Sequence, residues 1–143
     1  MQNDYQFYHR TPVQIRFNDV DVMGHVNNSV YQHYFDIARL QYFERVFAYR
    51  LDWHDEVLVL VRIEIDFVKP VFMYDPIQIL TKVYGLGNKS LKMEQRLVGE
   101  QDDDIRCRSH AVLSGFDYEK GESVPLLDEW RERIGKFEQD VDF

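Results

Sequence analysis

Acidic, amide and imidazole side chains are concentrated in one short stretch of the sequence. Residues 19–28 read Asp-Val-Asp-Val-Met-Gly-His-Val-Asn-Asn, and a long apolar segment follows directly. If that segment is a helix, its first N–H groups have no partner within the helix and form an anion site. A carboxylate beside such a site has the parts needed to hydrolyse an acyl compound, a base or nucleophile and donors to the oxyanion. The candidate chemistry therefore lies in this loop.

The loop is predicted to join a strand to a helix. Apolar and polar residues alternate over Thr11–Phe17, which predicts a first strand. Ser29 and Gln32 match a capping box, so a helix is predicted from Ser29 to about Phe47. Apolar residues cover most of its circumference, which is typical of a buried helix. Its polar residues form one narrow stripe: Gln32, Asp36 and Arg39.

Alternating runs in the remainder predict an antiparallel sheet and a short closing helix over Pro125–Phe137. The predicted strands are Val57–Phe67, Ile77–Tyr84, Leu91–Val98 and Ile105–Phe116. The first half of the Val57–Phe67 strand is apolar on both parities, which predicts cover on both faces. Residues 85–88 and 99–104 read as hairpin turns. This order predicts one α+β domain, residues 1–143, with a curved sheet wrapped around the long helix.

Composition excludes several classes of function. The net charge of −8 argues against nucleic acid or an anionic membrane as a partner, because both are bound mainly through Lys and Arg. The single cysteine, Cys107, excludes a disulfide framework, and its parity places it in the core. His25 and His33 lack the spacing of a zinc site, so neither a metal nor a cofactor is predicted. Residues 1–10 do not resemble a signal peptide, so a cytoplasmic protein is expected.

The loop motif resembles that of the hotdog-fold thioesterases. Asp-x-Asp-x-x-Gly-His-Val-Asn-Asn-x-x-Tyr, starting at Asp19, is followed by Phe-Asp-x-Ala-Arg over residues 35–39. Residues 65–71 and 87–90 fit as well, so the likeness covers roughly residues 10 to 118. The 4-hydroxybenzoyl-CoA thioesterase-like and long-chain acyl-CoA thioesterase branch is the most similar group. The resemblance implies a hotdog fold and hydrolysis of acyl-CoA thioesters.

The resemblance also implies roles for loop residues. The second acid of the motif is the family's catalytic carboxylate, which is Asp21 here. His25 matches the His of the plant acyl-carrier-protein thioesterases, but Met23 stands where their pattern has Asn. Some bacterial relatives carry a His where this chain has Asn28. Asp21 is thus expected to act as base or nucleophile, and His25 either to donate to the substrate or to orient Asp21. A turn or capping role for Asp21, and a structural hydrogen bond for His25, are the alternatives.

Other residues near the loop have both a functional and a structural interpretation. Asn27, Asn28 and Ser29 suit a helix entry, and the backbone N–H groups from Asn28 to Val30 are expected oxyanion donors. Asp19 and Gly24 are expected to shape the turn. Asp36 either lines the acyl site or pairs with Arg39 at i, i+3. The aromatic residues of the helix start are candidate walls of an acyl channel: Tyr31, Tyr34 and Phe35.

A coenzyme A substrate brings phosphate groups to an acidic protein. The basic residues of the last two hairpin strands either hold those phosphates or form a solvated face: Lys89, Lys92, Arg96, Arg106 and Arg108. The resemblance implies a homodimer or a dimer of dimers with sites at the subunit interface. Three other functions compete: a non-catalytic acyl-CoA binder, an acyl-carrier-protein thioesterase, and a hotdog hydratase acting on enoyl thioesters.

Overall fold

A six-stranded antiparallel sheet curls around one long helix in the computed structural model, which describes residues 5–48 and 56–143. The strands are β1 His9–Val13, β2 Glu56–Phe67, β3 Ile77–Leu86, β4 Ser90–Gly99, β5 Ile105–Asp117 and β6 Glu122–Ser123. The helices are α1 Tyr31–Phe47 and α2 Asp128–Phe137, with single 3-10 turns at Phe17–Asp19 and Asn28–Val30. The sheet order is β1-β3-β4-β5-β2, with β6 paired to β5. The predicted α+β architecture is confirmed.

The first strand is shorter than predicted and lies earlier in the chain. Pairing with β3 ends at Val13, and the chain turns at Phe17–Asp19 instead of continuing as a strand. The turn forms because the Asp19 side chain accepts a hydrogen bond from the Arg16 N–H group at 2.9 Å. Phe17 is 83% exposed, so its place in the alternating pattern did not reflect a buried face.

A β-bulge in β2 reverses which side chains face the core. The register with β5 shifts between Leu60 and Arg62, leaving Val61 unpaired and exposed. Leu58 and Leu60 pack on the core before the bulge, whereas Ile63 and Ile65 do so after it. Even positions face the core before the bulge and odd positions face it afterwards, which is why the segment carries apolar residues at both parities. The predicted cover on both faces is wrong, since β2 is an edge strand and residues 57–60 are only half-buried.

Helix α1 buries one face, and the prediction that it is buried all round is wrong for this chain alone. Ile37 and Leu40 are 46% and 39% exposed on the outer face. Arg39 is buried, although it belongs to the predicted polar stripe. Its guanidinium reaches the exposed Asp36 on one side, at 2.8 Å, and the buried Gln95 amide on the other, at 3.5 Å. A long arginine side chain can thus lie under the helix and still keep polar partners.

The core under α1 is divided into two apolar clusters. The first half of the helix packs on a cluster that includes Ile77, Ile79 and Leu97, and the second half on a cluster that α2 completes with Trp130 and Ile134. Fully buried polar side chains lie on the inner face between the clusters, in cross-strand register: Thr81, Gln95 and Ser109. Cys107 is also buried, as predicted, and burial raises the pKa of its thiol to about 12.

Neither helix in the described part of the chain has the length and apolar composition needed to span a membrane. Residues 1–4, which belong to the segment from which no signal peptide is predicted, lie outside the described residues.

Candidate active site

The candidate loop is held in one shape by its own backbone. The Asp21 N–H group donates to the His25 carbonyl at 2.9 Å, and the Gly24 N–H group donates to the Asp21 carbonyl at 3.0 Å. Gly24 has a φ of +84°, a left-handed conformation that other residues adopt at a cost. The predicted shaping role of Gly24 is therefore confirmed. The Val26 N–H group then donates to the Val71 carbonyl at 2.8 Å, which ties the loop to the segment after β2.

Asp21 is half-buried at the first corner of this turn. Its Oδ1 atom accepts a hydrogen bond from the Met23 N–H group at 2.9 Å, which is the turn-forming contact expected under the structural interpretation. Its Oδ2 atom has no hydrogen-bond partner among residues 5–48 and 56–143. After burial and the Cys107 thiol, the Asp21 charge contributes to raising the pKa of the Tyr31 phenol. One oxygen thus fixes the carboxylate while the other stays available.

A cavity of about 180 Å³ lies at the start of α1. It brings together three residues predicted to belong to the site: His25, Asn28 and Tyr31. The opposite wall comes from the end of β2 and the residues that follow: Phe67, Val68, Lys69 and Pro70. The sequence analysis included these four residues in the family likeness but did not place them in the site. Only the tertiary fold brings them to the loop, because they lie some forty residues further along the chain.

His25 is half-buried against an aromatic ring. Its imidazole meets the Phe72 ring edge-to-face with the centroids 5.2 Å apart, and the two residues also form an isolated β-bridge. Within the described residues its ring makes no hydrogen bond to Asp21, and the two are joined through the backbone instead. His25 lines the cavity.

The helix entry differs from the predicted capping box. Asn27, and not Ser29, supplies the cap: its Oδ1 atom accepts from the Ser29 N–H group at 3.0 Å and from the Ser29 hydroxyl at 2.9 Å. The predicted Ser29–Gln32 pair is wrong because a 3-10 turn precedes α1 and shifts the cap by two residues. The Val30 N–H group donates to the Asn27 carbonyl at 2.9 Å. Of the three predicted oxyanion donors, Asn28 alone keeps an N–H group without an acceptor in the described chain.

The first acid of the motif is structural, as predicted. Asp19 is 2% exposed and accepts hydrogen bonds from the Tyr34 hydroxyl at 2.7 Å and from the Arg16 N–H group at 2.9 Å. Burial acts to raise the pKa of Asp19, but these hydrogen bonds outweigh it and hold the pKa below its usual range. Tyr34 and Phe35 are buried in the core and do not line the cavity, so of the three predicted walls only Tyr31 does.

The two basic residues predicted to bind the ligand, Lys89 and Arg96, lie apart along the sheet, and Arg96 is the cross-strand neighbour of Arg108. Lys89 lies in the β3–β4 turn, whereas Arg96 lies near the other end of β4, 2.5 Å from Glu94 and with its guanidinium 4.7 Å from the centre of the Phe7 ring. Neither residue lines the cavity at the start of α1. The lysine that does is Lys69, whose ammonium group lies 2.7 Å from Asp104. Asp36 does not line this cavity either, and it forms the predicted pair with Arg39.

Among the described residues, His, Cys, Asp and Glu side chains form no group of three or more that could hold a metal ion. The loop carries a carboxylate on Asp21, an imidazole on His25 and a helix-start amide at Asn28.

Comparison with known proteins identifies the family. Residues 15–134 match the thioesterase-like superfamily. The long-chain acyl-CoA thioesterase FadM of Escherichia coli is 24% identical over 87% of this chain and 96% of its own length. A Thermus thermophilus thioesterase, solved in complex with coenzyme A and zinc, is 34% identical with a TM-score of 0.80, covering 93% of this chain and 96% of its own.

A third relative shows the fold alone. The PA5185 protein of Pseudomonas aeruginosa superposes with a TM-score of 0.85 over 96% of both chains, at 24% identity. The curled sheet around one helix is thus the hotdog fold of these structures. Because the family match spans the loop, the helix and the sheet, this chain belongs to the thioesterase-like superfamily.

Proposed function

We propose that this protein hydrolyses acyl-CoA thioesters to a carboxylic acid and free coenzyme A. The observation that carries the proposal is the Asp21 carboxylate of a thioesterase-family chain, which has one oxygen fixed by the turn and the other without a protein partner in the described chain. The Asp21 N–H group donates to the carbonyl of His25, which lines the cavity at the start of α1, although Asp21 itself does not line it.

Two reaction routes are compatible with this arrangement. Asp21 either removes a proton from a water molecule that attacks the thioester carbonyl, or attacks the carbonyl itself to give an anhydride that water then cleaves. In both routes a carbon–oxygen bond forms, the carbon–sulfur bond breaks, and the thiolate leaves and takes up a proton. A thiolate is a good leaving group, so little help from a general acid is required. The Asn28 N–H group is the proposed oxyanion donor.

Two relatives support coenzyme A as the carrier of the acyl group. The Escherichia coli relative is named a long-chain acyl-CoA thioesterase, and the Thermus thermophilus relative was solved with coenzyme A. We propose that Lys69, which lines the cavity, replaces Lys89 and Arg96 as the basic residue nearest the ligand. Its ion pair with Asp104 is exposed and therefore weak enough to exchange for a phosphate.

We also propose that the site is completed by a second copy of the chain. The cavity of about 180 Å³ is smaller than the roughly 300–1,000 Å³ of pockets that enclose a ligand of moderate size. Exposed apolar side chains surround it, among them Phe67, Val68 and Phe72. The edge strand β2 is open to pairing. A homodimer or homotetramer in the cytoplasm is expected, and sedimentation equilibrium should give a multiple of 17.2 kDa.

The alternatives make different demands on Asp21. A non-catalytic acyl-CoA binder has no need for a free carboxylate beside the scissile carbon. An acyl-carrier-protein thioesterase would have to bind an acidic partner with a surface of net charge −8. A hydratase would use an acid and a histidine as a pair, whereas the Asp21 and His25 side chains form no hydrogen bond to each other in the described structure.

The test is thiol release from a panel of acyl-CoAs, short, long and aryl, by wild type, Asp21→Asn and Asp117→Asn. Asp117 is a matched control, because its Oδ1 atom accepts from the N–H group two residues later at 2.9 Å, as that of Asp21 does. It lies at the β5–β6 turn, away from the cavity. We expect Asp21→Asn to lose ~10²-fold or more in kcat, as for one essential group, and Asp117→Asn to keep its kcat. Acyl-CoA binding by the wild type without thiol release would establish the binder instead.

A further inference from the structure

We infer that the Tyr34–Asp19 hydrogen bond is a positioning contact that sets the attack geometry of Asp21. The inference rests on the proposed function and extends it to two buried residues that touch neither the cavity nor the substrate. Tyr34 is 6% exposed and lies one turn into α1, with its hydroxyl 2.7 Å from Asp19 Oδ2.

Asp19 joins both ends of the candidate loop to each other. Its side chain accepts from the Arg16 N–H group at 2.9 Å, and its carbonyl accepts from the Asn27 N–H group at 2.8 Å. An antiparallel bridge between Val20 and Val26 closes the loop immediately above this point. Asp21 therefore lies in a loop whose two ends are joined through the backbone of Asp19.

Tyr34 connects Asp19 to helix α1. Hydrogen bonds within the loop fix its internal shape, and the bond from the Val30 N–H group to the Asn27 carbonyl joins only the end of the loop to the helix entry. Among the described residues, the Tyr34 hydroxyl supplies the side-chain hydrogen bond that runs from the body of α1 to the loop. The proposed attacking atom is on Asp21 and the proposed oxyanion donor is at Asn28, on the helix entry. The distance between them thus depends on how the loop is seated on the helix.

The arrangement makes Asp19 unsuitable for chemistry and suitable for positioning. It is almost fully buried, and its oxygens already receive the Tyr34 hydroxyl, the Arg16 N–H group and, at 3.3 Å, the Arg16 guanidinium. Removing only the Tyr34 hydroxyl leaves the two contacts from Arg16, so the carboxylate keeps partners and the fold can form. A displacement of about 1 Å at a reacting group can cost about 10²-fold in rate. The loss should appear in kcat and not in substrate binding.

The helix itself offers a matched control in Tyr42. Tyr42 lies on the same face of α1, is fully buried, and its hydroxyl donates to a buried carboxylate, Glu138 Oε1, at 3.4 Å. It is eight residues further along the helix, about 12 Å at 1.5 Å per residue, and makes no contact with the loop. Tyr34→Phe and Tyr42→Phe therefore each remove one hydroxyl that donates to a buried carboxylate, at the two ends of the helix.

The experiment measures kcat, KM and thermal midpoint for wild type, Tyr34→Phe and Tyr42→Phe on the best acyl-CoA of the panel. We expect Tyr34→Phe to lower kcat by ~10- to 100-fold with KM changed by less than about threefold, and Tyr42→Phe to keep kcat within about twofold. Similar thermal midpoints in the two variants would show that the difference does not come from stability. Equal kcat values for the two variants would overturn the inference while leaving the thioesterase activity intact.

Hydrogen exchange gives a readout that does not depend on turnover. Loss of the Tyr34 hydroxyl should speed exchange of the Asp21 and Asn27 amides, which close the loop, whereas loss of the Tyr42 hydroxyl should not. Unchanged loop exchange in Tyr34→Phe would overturn the positioning role even if that variant were less stable. Absence of thiol release by the wild type would instead refute the proposed function, so the two failures are distinguishable.

Discussion

The two ends of α1 carry the same chemical contact in opposite surroundings. At each end a buried tyrosine hydroxyl donates to a buried carboxylate, Tyr34 to Asp19 and Tyr42 to Glu138. Around Tyr42 the chain closes on itself, because α2 and the residues after it cover that end of the helix. Around Tyr34 the chain opens into the loop and the cavity. We refer to these as the closed end and the open end.

The closed end is held by charges as well as by apolar packing. Lys82 is fully buried, and its ammonium group lies 2.7 Å from Glu138 and 2.6 Å from Asp140. It also donates to the Gln6 carbonyl at 2.8 Å, so one side chain joins the segment before β1 to the segment after α2. Every polar atom of this network has a partner, which is the condition for burying charge.

The open end has the reverse character. Apolar side chains that would add to a core are instead exposed around the loop, including Met23 at 72% and Tyr74 at 93%. The chain covers one end of α1 with its own residues and leaves apolar side chains exposed at the other end. Exposed apolar patches of this kind mark surfaces that bind a partner or a ligand. We propose that stability and function depend on opposite ends of this helix, and the variants below test that separation.

The largest effect on stability is expected from Trp130→Ala at the closed end. Trp130 is 2% exposed and stacks on Phe47 with the ring centroids 5.8 Å apart. Truncation should lower the free energy of unfolding by about 3–5 kcal/mol, measured by urea denaturation. At a temperature where the variant is folded, kcat should match the wild type. A fall in kcat with little change in stability would contradict the proposed separation of stability and function between the two ends of α1.

The pH dependence of stability should reveal two opposing groups at the closed end. Burial raises the pKa of Glu138 to about 7, although Lys82 is adjacent. The unfolded chain therefore releases this proton first, and stability falls as the pH rises from about 4.5 to 7. Burial, and then Arg45, lower the pKa of His9 to about 4. The unfolded chain therefore gains a proton first as the pH falls below about 6.5, so this group makes stability rise with pH between 4 and 6.5.

The two contributions largely cancel in the wild type, and Glu138→Gln should uncover the second. Its stability is expected to increase between pH 4 and 6.5 with a slope of up to about 1.4 kcal/mol per pH unit. Urea denaturation at half-unit intervals of pH, compared with His9→Gln as the mirror control, measures the slope. The same flat profile in Glu138→Gln and wild type would show that Glu138 does not titrate as its burial implies.

The smallest effect on stability is expected at the entry of α1, which belongs to the open end. Asn27→Ala removes the side chain that caps the helix entry and should cost about 1 kcal/mol. Ser29→Ala removes only a hydroxyl that donates to Asn27, and should change stability by less than about 0.5 kcal/mol. Thermal unfolding of Asn27→Ala and Ser29→Ala measures which of the two side chains caps the helix entry. A larger loss in Ser29→Ala would restore the capping box that the sequence suggests.

Periodicity predicted most of the fold because the hairpins β3–β4–β5 and helix α1 each bury one regular face. It was misleading where a local contact outweighs the pattern. The Arg16–Asp19 bond ends β1 early, and the bulge at Val61 exchanges the faces of β2. Alternation alone does not specify the Arg16–Asp19 bond, and the double apolar parity of residues 57–60 fits either a bulge or cover on both faces.

The candidate site could be predicted only where it is local in sequence. Asp21, His25 and Asn28 lie within one loop, so a motif could identify them. Lys89 and Arg96 lie on the same predicted hairpin, but seven residues of extended strand hold them about 23 Å apart. Phe67 to Pro70 reach the cavity only through the register of β2 with β5, which no pattern within either strand specifies.

We expect coenzyme A to bind at the open end of α1 and not at the closed end. Backbone amide NMR during titration with coenzyme A, and with an uncleavable thioether analogue of an acyl-CoA, distinguishes the two ends. Shifts are expected at residues 20–31 and 67–72, which surround the cavity, and none at residues 126–138, which cover the closed end. Shifts confined to the closed end, or to the outer face of the sheet around Arg96, would contradict it.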